Sequence, residues 1–221
     1  MIKLYFFKSL RILLLMAGVG LASPAQAALI AKMGGAVVYD TDLKISWLAN
    51  ANLASTNTFG LGGVTSGGLM NWVTQQSFVA EMNAANYLGF SDWRLPSAFN
   101  QDGSAPCNGY NCSGSELGHL FYTEIRATRL NSILTGDSTG LAKFNNVQSY
   151  DYWTGTQYEP GTSAWLFTTD AGAQVHYLEN ALGYIWPVRS GDVAVVPEPV
   201  ITWLLGIGAI AWANKKSRAG L

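Results

Sequence analysis

The sequence of 221 residues predicts an α+β fold for a compact single domain. Strand-like patterns lie at both ends of the domain and helix-like patterns lie between them, an order typical of α+β folds. An apolar segment at each end of the chain is predicted to be a targeting helix outside the domain. We therefore expect a domain over residues 28–195 with terminal strands and two to three helices, flanked by hydrophobic targeting helices.

Residues 1–27 have the pattern of a secretory signal peptide. Basic residues precede an apolar stretch over residues 12–21, and Ala25-Gln26-Ala27 supplies the small-x-small pattern of a signal-peptidase site. We expect signal peptidase to cut after Ala27. The alternative, an uncleaved N-terminal anchor, is disfavoured because the apolar stretch is short.

Residues 196–218 combine three features of a sorting tail. The motif Val196-Pro197-Glu198-Pro199 precedes an apolar run over residues 200–213, and a basic stop follows. This arrangement resembles the PEP-CTERM signal of Gram-negative bacteria, which exosortase-type transpeptidases are thought to process. The resemblance implies transient association with the inner membrane, followed by attachment at the cell surface or in the extracellular matrix.

The apolar run of this tail is short for a membrane anchor. Its fourteen residues would form a helix of about 21 Å, whereas a bilayer core is roughly 30 Å thick. A weak anchor suits a tail that is removed during processing. The alternative is a C-terminal helix of the domain core, which Pro197 and Pro199 disfavour because they separate the run from the domain.

The predicted domain is acidic although the whole chain is nearly neutral. Six of the thirteen basic residues lie in the two terminal segments, but only Glu198 of the fourteen acidic residues does, so residues 28–195 carry a net charge of −6. Such a surface repels polyanions. The composition therefore argues against nucleic acid and anionic polysaccharide as simple electrostatic partners.

The domain starts with a predicted β-hairpin, in which β-rich runs over residues 36–39 and 43–48 flank the turn Asp40-Thr41-Asp42. A loop rich in Asn, Ser, Thr and Gly follows over residues 50–68. A phosphate-binding loop follows a strand and ends with a lysine at the start of a helix, and this loop lacks that pattern. We therefore interpret it as a flexible surface loop and not as a phosphate-binding loop.

Two helices are predicted in the middle of the domain. Asn71 is placed to cap a helix that runs to about Tyr87. The segment from Ser113 to Glu116 matches the capping box of a second helix, which carries an apolar stripe. His119 lies off that stripe, so we expect it on the surface. A third, weaker helical segment is predicted over residues 126–134.

From residue 150 onward the pattern is β. Runs over residues 150–155, 164–169 and 173–178 are rich in aromatic and β-branched residues, and the last two are separated by turn residues typical of a hairpin. A final strand is predicted over residues 184–189. Pro187 makes it an edge strand or marks a bulge.

Cys107 and Cys112 are the only cysteines. In an exported protein such a pair predicts a local disulfide, which would fix the shape of one loop. Closing so small a loop stabilises a fold by only about 2 kcal/mol. A metal site would need further ligands and a redox pair is usually Cys-x-x-Cys, so both alternatives are disfavoured.

Three fragments of the domain carry a resemblance to a known family. They are Gly-Phe-Ser-Asp-Trp-Arg-Leu-Pro-Ser over residues 89–97, Tyr-Trp-Thr-Gly-Thr over residues 152–156 and Trp-Pro-Val-Arg-Ser-Gly over residues 186–191. In this order they resemble the Lcl C-terminal domain family, over nearly all of residues 34–191. That family is related to the C-type-lectin-like fold, so the resemblance implies a compact α+β domain whose termini lie close together.

We expect these family fragments to be structural. On an extended segment Asp92 and Arg94 share a face and could pair, while Trp93 points towards the core. Trp153, Trp165 and Trp186 are also expected in the core, with a sugar-stacking platform as the alternative. The family residues to which we assign a structural role are Asp92, Trp93, Arg94, Leu95, Pro96, Tyr152, Trp153, Trp186 and Arg189.

No catalytic set stands out in the sequence, and we expect no enzyme activity. A glycosidase needs two carboxylates at a set separation, and nothing distinguishes the candidates Asp151, Glu159, Asp170 and Glu179. A serine hydrolase would need one of the two histidines, His119 and His176, beside an activated serine, and no nucleophile elbow occurs.

We expect no cofactor and no resident metal ion. Calcium is the open alternative, because Asp102, Asn108 and Asn111 lie in or near the cysteine loop and carry oxygen ligands of the kind calcium prefers.

These features together predict a non-catalytic protein that is exported to the cell surface or the extracellular matrix of a Gram-negative bacterium. Its partners during processing would be signal peptidase and an exosortase-type transpeptidase. As a ligand-binding or adhesion module it would recognise a glycan or a matrix polymer. The alternatives are a structural matrix component without a specific ligand and, less favoured, a hydrolase.

Overall fold

The computed structural model describes residues 28–159 and 161–193. The predicted signal peptide over residues 1–27 and the predicted sorting signal over residues 196–218, with its hydrophobic segment 200–213, lie outside the described residues. Within the described ranges, no helix combines the length and the apolar character that crossing a bilayer requires.

The described residues form a domain of mixed α and β content, with two sheets and few helices. The strands are β1 (Leu29–Lys32), β2 (Val37–Asp40), β3 (Ile45–Leu48), β4 (Gly109–Tyr110), β5 (Asp151–Tyr158), β6 (Ser163–Thr168), β7 (Ala173–Leu178) and β8 (Val188–Ser190). The α-helices are α1 (Trp72–Ala84), α2 (Glu116–His119) and α3 (Ser138–Leu141), and a π-helical turn, Leu120–Glu124, continues α2.

The first sheet is antiparallel and has the order β1-β2-β3-β8. It confirms the predicted hairpin, in which Asp40 lies opposite Ile45. Asp40 Oδ1 closes the turn by accepting hydrogen bonds from the backbone N–H groups of Asp42, at 3.1 Å, and Leu43, at 3.0 Å. The final strand was predicted over residues 184–189, but β8 begins only after Pro187, and Tyr184 forms just an isolated bridge with Tyr152. Strand β8 lies at the edge of the sheet. Strand β1 was not predicted.

The second sheet is also antiparallel and has the order β4-β7-β6-β5. Strands β5, β6 and β7 confirm the three runs predicted after residue 150. Strand β5 is longer than predicted, because the register shifts between Trp153 and Gln157 and the strand continues beyond this bulge. The short strand β4 lies between the two cysteines and pairs with β7.

Helix α1 confirms the predicted Asn71 cap, whose side chain accepts a hydrogen bond from Thr74 N at 2.8 Å. The helix ends at Ala84, earlier than predicted, because Asn86 takes a left-handed conformation with a φ of 49°. The Gly-rich loop over residues 50–68 was predicted to be a flexible surface loop, but part of it packs on the core. Phe59 lies edge-on against Phe78 of α1, with ring centroids 5.3 Å apart.

The second helix is capped by Ser115 and not by Ser113, since the Ser115 hydroxyl accepts a hydrogen bond from Gly118 N at 3.2 Å. The third predicted helix, over residues 126–134, is wrong. Arg126 and Leu130 have φ values of 54° and 66°, which no α-helix accommodates. A 3₁₀ turn, Ile133–Thr135, ends this stretch, and α3 follows it.

The core of the domain is aromatic. Trp186 lies fully buried at its centre, with ring centroids 5.5 Å from Trp47, 5.3 Å from Tyr152 and 5.0 Å from Phe144. These residues come from β3, β5 and the segments before β5 and β8. The cluster therefore joins the two sheets through side-chain packing.

Candidate functional site

The three family fragments meet through their backbones. Arg94 N donates to Val188 O at 2.8 Å and Val188 N donates to Arg94 O at 2.9 Å, so the first and third fragments form an isolated antiparallel bridge. Gly155 N donates to Pro96 O at 2.8 Å, which joins the second fragment to the first. The segment from Asp92 to Ser97 therefore lies between the two sheets and connects them.

The expected pairing of Asp92 with Arg94 is wrong. Asp92 instead accepts two hydrogen bonds from Arg189, at 2.9 and 3.0 Å, and Arg94 donates two to Glu116, at 2.8 and 2.6 Å. The two side chains diverge because β8 and the start of α2 each offer a partner with matching bidentate geometry. Glu116 also accepts a hydrogen bond from Ser97 N at 2.7 Å.

The two ion pairs differ in their exposure to water. The Glu116 side chain is 8% exposed, whereas the Asp92 side chain is 52% exposed. Arg189, which also stacks over the Phe90 ring at 4.2 Å, lowers the pKa of Asp92 through its hydrogen bonds. The arginines show the opposite order, since Arg94 is 37% exposed and Arg189 is 13% exposed. We infer that the Arg94–Glu116 pair has the larger structural consequence, because its carboxylate is buried and also holds Ser97 N.

The tryptophans of the motifs lie inside the domain. Trp153 and Trp186 are fully buried, Trp93 is 2% exposed and Trp165 is 6% exposed. The His176 ring stacks on Tyr158, with centroids 3.7 Å apart, and both rings meet Trp165 edge-on. None of these indoles therefore presents an open face on which a sugar could stack.

A cavity of about 370 Å³ lies directly over the joined motifs. We call it the motif groove, and it is lined by Gln76, Val79, Arg94, Leu95, Pro96, Ser97, Gly155 and Thr156. Its floor is fixed, because Thr156 Oγ1 accepts a hydrogen bond from Ala98 N at 3.0 Å and Gly155 is held by Pro96. The groove combines apolar walls with a guanidinium and neutral polar groups, a mixture typical of a shallow ligand site.

Two further cavities lie elsewhere on the domain. One, of about 340 Å³, is lined by residues of α1 and of the turn after β7, including Asn71 and Glu179. The other, of about 200 Å³, lies beside the start of β1 and is lined by Glu124, Arg126 and Lys143 among others.

The predicted disulfide between Cys107 and Cys112 is present. The loop is fixed to the second sheet, because the Gln174 side chain donates to Cys107 O at 2.8 Å and to Ala98 O at 3.0 Å. Asp102 is exposed, and its Oδ1 accepts a hydrogen bond from Ser104 N at 2.9 Å. The expectation of no metal here, with calcium as the alternative, stays a prediction.

The expectation that His119 lies on the surface is wrong. Its side chain is 13% exposed, and Nε2 lies 3.4 Å from Glu124 Oε1 and 4.0 Å from Asp42 Oδ2. Residues three or four apart are neighbours on an α-helix, but the π-helical turn brings residues five apart to the same side. The α-helical pattern assumed from the sequence gave no sign of this arrangement.

Asp40 completes this group, and one ligand atom from each of Asp40, His119 and Glu124 lies within 4.8 Å of the others. Burial raises the pKa of Asp40, although backbone donors and His119 oppose the rise. Burial opposes protonation of His119, but the nearby carboxylates of Glu124, Asp40 and Asp42 outweigh it and raise the pKa. Sequence reasoning assigned Asp40 to a turn and did not single out Glu124.

Of the four candidate glycosidase carboxylates, only Glu179 lines one of the cavities described above. Asp151 is half-buried, and burial followed by the charge of Asp170 raises its pKa from 3.8 to about 6. Neither lines any of the three cavities described above. Glu179 accepts a hydrogen bond from Gln157 at 2.9 Å, and Glu159 is exposed.

A model of the Lcl C-terminal domain family matches residues 36–189, which is more than half of the chain. The matched region includes the first two fragments and most of the third, so the predicted resemblance is confirmed. No curated protein and no solved structure matches the chain.

We expect loss of the Arg94–Glu116 pair, whose carboxylate is buried, to cost more stability than loss of the Asp92–Arg189 pair, whose carboxylate is exposed. Glu116→Ala leaves Ser97 N without its acceptor and Arg94, which is 37% exposed, with only Leu95 O, and should lower the free energy of unfolding by about 2 kcal/mol. Asp92→Ala is the matched control and should cost less than about 1 kcal/mol. Urea unfolding of the disulfide-intact chain measures both, and equal losses would contradict the assignment.

The raised pKa of Asp151 predicts a pH dependence of stability. The folded carboxyl binds its proton more tightly than the unfolded one, so its contribution is complete below about pH 4 and is lost as the pH rises through about 6. Asp151→Asn should therefore gain stability relative to the unsubstituted chain between pH 4 and pH 7. Urea midpoints over this range test it, and a constant difference between the two proteins would refute it.

Proposed function

Because this chain belongs to the Lcl C-terminal domain family, we propose that it is a non-catalytic binding or adhesion module. It acts after export, at the cell surface or in the extracellular matrix of a Gram-negative bacterium. The observation that carries this proposal is the motif groove. The family motifs form a rigid floor through backbone hydrogen bonds and the Arg94–Glu116 pair, and they leave a shallow surface of mixed polarity above it.

The finer fold assignment, a C-type-lectin-like domain, belongs to the same proposal. It is supported by the closeness of the two ends of the domain, since β1 and β8 share one sheet and Lys32 forms an ion pair with Asp192 at 2.9 Å. A tether that follows residue 193 would therefore leave the domain close to its N-terminal strand.

The proposed domain boundaries are residues 28–195, between a signal peptide over residues 1–27 and a PEP-CTERM sorting signal over residues 196–218. The N-terminal boundary is supported by Ala28, which donates to Thr41 Oγ1 at 3.1 Å and accepts from Thr41 N at 3.2 Å. A cut after Ala27 would thus leave the first strand and its turn intact.

We propose a neutral glycan or an uncharged matrix polymer as the ligand. The net charge of −6 over residues 28–195 disfavours anionic polymers. Gln76, Ser97 and Thr156 bring neutral polar groups to the groove, and Arg94 is already paired with Glu116. Val79 and Leu95, which are only 9% and 6% exposed, would add a small apolar contact.

The second candidate is a structural matrix component without a specific ligand. It is favoured by the burial of Trp93, Trp153, Trp165 and Trp186, which removes the indole platforms that many sugar-binding sites use. The two candidates differ in one respect: only the first requires the motif groove to be open.

Closing the motif groove should weaken ligand binding if the first candidate is correct. Gln76 is an exposed residue of α1 that lines the groove, so Gln76→Trp should fill it and weaken binding at least tenfold. Ser77→Trp is the matched control, because Ser77 is also exposed on α1 but does not line the groove. A glycan array read with the full chain, with and without calcium, measures both variants.

Two outcomes of that experiment favour other functions. No signal from the unsubstituted chain on any glycan or matrix polymer would favour the structural component. Equal binding by both tryptophan variants would place the ligand elsewhere on the domain.

The processing proposal predicts a mature protein shorter at both ends than the 221-residue chain. Intact-mass and peptide mass spectrometry of the protein from its native host should find Ala28 at the N-terminus and should find no peptide from the apolar run over residues 200–213. Recovery of the intact tail in the matrix fraction would reject processing by a transpeptidase.

A further inference from the structure

A buried group of ligand-type side chains joins two parts of the domain. Asp40 ends β2, whereas His119 ends α2 and Glu124 ends the π-helical turn. One ligand atom from each lies within 4.8 Å of the other two. The exposed carboxylate of Asp42 approaches the same histidine, with Oδ2 4.0 Å from Nε2.

Three atoms that face one another in this group make no hydrogen bond of good geometry among the described residues. They are Asp40 Oδ2, His119 Nε2 and Glu124 Oε1, although the last two lie 3.4 Å apart as an ion pair. Asp40 is fully buried and Glu124 is 8% exposed, so water cannot replace the missing partners freely. Buried polar atoms are nearly always paired, because leaving one unpaired costs on the order of 1–3 kcal/mol.

The charge of the group is also uncompensated. Asp40, Asp42 and Glu124 are acidic, and one imidazole can carry a single positive charge. Among the ion pairs of the described residues, no lysine or arginine contacts any of these three carboxylates. Arg126 and Lys143 line the cavity beside Glu124 without bonding to it. A divalent cation would supply both the missing partners and the missing charge.

We infer that Asp40, His119 and Glu124 bind a divalent transition-metal ion of the Zn²⁺ type through three protein ligands.

The donor set selects the class of metal. Zn²⁺ is bound by imidazole nitrogen and carboxylate oxygen in tetrahedral sites, at distances of about 2.0–2.2 Å. Such bonds place ligand atoms about 3.4 Å apart, and His119 Nε2 and Glu124 Oε1 are already 3.4 Å apart. Calcium prefers six to eight oxygen ligands, which this group does not offer.

The site would act as a cross-link between the β2–β3 turn and the π-helical turn. The Asp40 side chain is prearranged for this role, because its Oδ1 is held by the backbone of Asp42 and Leu43 and its Oδ2 is left free. The metal would fix the short segment that carries His119 and Glu124 against the first sheet. This role is independent of the motif groove and of its ligand.

Metal titration of the metal-stripped full chain tests the inference, with Zn²⁺ and Co²⁺ as the probes. We expect one equivalent of Zn²⁺ by calorimetry and a rise in Tm of about 5 °C or more when Zn²⁺ exceeds Kd by about 100-fold. Co²⁺ should give a visible absorption band from a site with one imidazole. His119 and His176 are the only histidines in the chain and both cysteines are in the disulfide, so an imidazole ligand to Co²⁺ must come from one of these two histidines.

The variants assign the site. His119→Gln and Glu124→Gln should each weaken Zn²⁺ binding at least tenfold and remove the Tm shift. His176→Gln is the matched control and should retain both. Glu124→Gln keeps the shape of the side chain, so it provides a folded comparison if His119→Gln is unstable.

Three results would overturn the inference. They are no Zn²⁺ or Co²⁺ binding by the unsubstituted chain, equal binding by the His119 and His176 variants, and stabilisation by Ca²⁺ but not by Zn²⁺. In the first case the group is an imidazolium held by carboxylates and contains no metal.

Discussion

The architecture depends on the position of Arg94. Its backbone exchanges two hydrogen bonds with Val188, next to the edge of the first sheet, and its guanidinium holds Glu116 at the start of α2. Two residues later, Pro96 O accepts the hydrogen bond from Gly155 in the second sheet. One short segment thus fixes three distant parts of the chain. A lysine in place of Arg94 could not form the same bidentate pair with Glu116, because an ammonium group lacks the planar geometry of a guanidinium. Because of these contacts, the three family fragments lie side by side in the domain although they are far apart in sequence.

The strands were predictable because their signals are local. Aromatic and β-branched runs with turn residues between them identified β2, β3, β5, β6 and β7, and Asn71 identified the start of α1. The failures have a common cause, which is that tertiary contacts decided the local structure. Residues 126–134 contain no proline or glycine, and yet Arg126 and Leu130 take left-handed conformations there. Asp92 and Arg94 share an extended segment, but better partners lie at Arg189 and Glu116.

The two candidate sites also differ in how much of each the sequence could predict. The fragment residues of the motif groove, Arg94 to Ser97, Gly155 and Thr156, could be named from the sequence because they lie in continuous fragments, but the groove itself and the contribution of Gln76 were not predicted. The group of Asp40, His119 and Glu124 could not be named in this way, because its members look like a turn residue, a surface residue and a helix-end residue. Only a π-helical turn brings His119 and Glu124, five residues apart, to one side of the chain. Such turns are frequent at functional sites, which makes this irregularity informative.

The segment from Cys112 to Glu124 shows how an intrinsically weak element is held in place. It contains one turn of α-helix and one π-helical turn, far too little to be stable in isolation. A disulfide fixes its first residue, the Arg94 pair fixes Glu116, and His119 near its end approaches Asp42 of the β2–β3 turn. Gly118 packs so closely that an added Cβ would lie 1.8 Å from Cys112 O. The position of the segment from Cys112 to Glu124 is therefore determined by contacts with other regions of the domain and not by its own helical propensity.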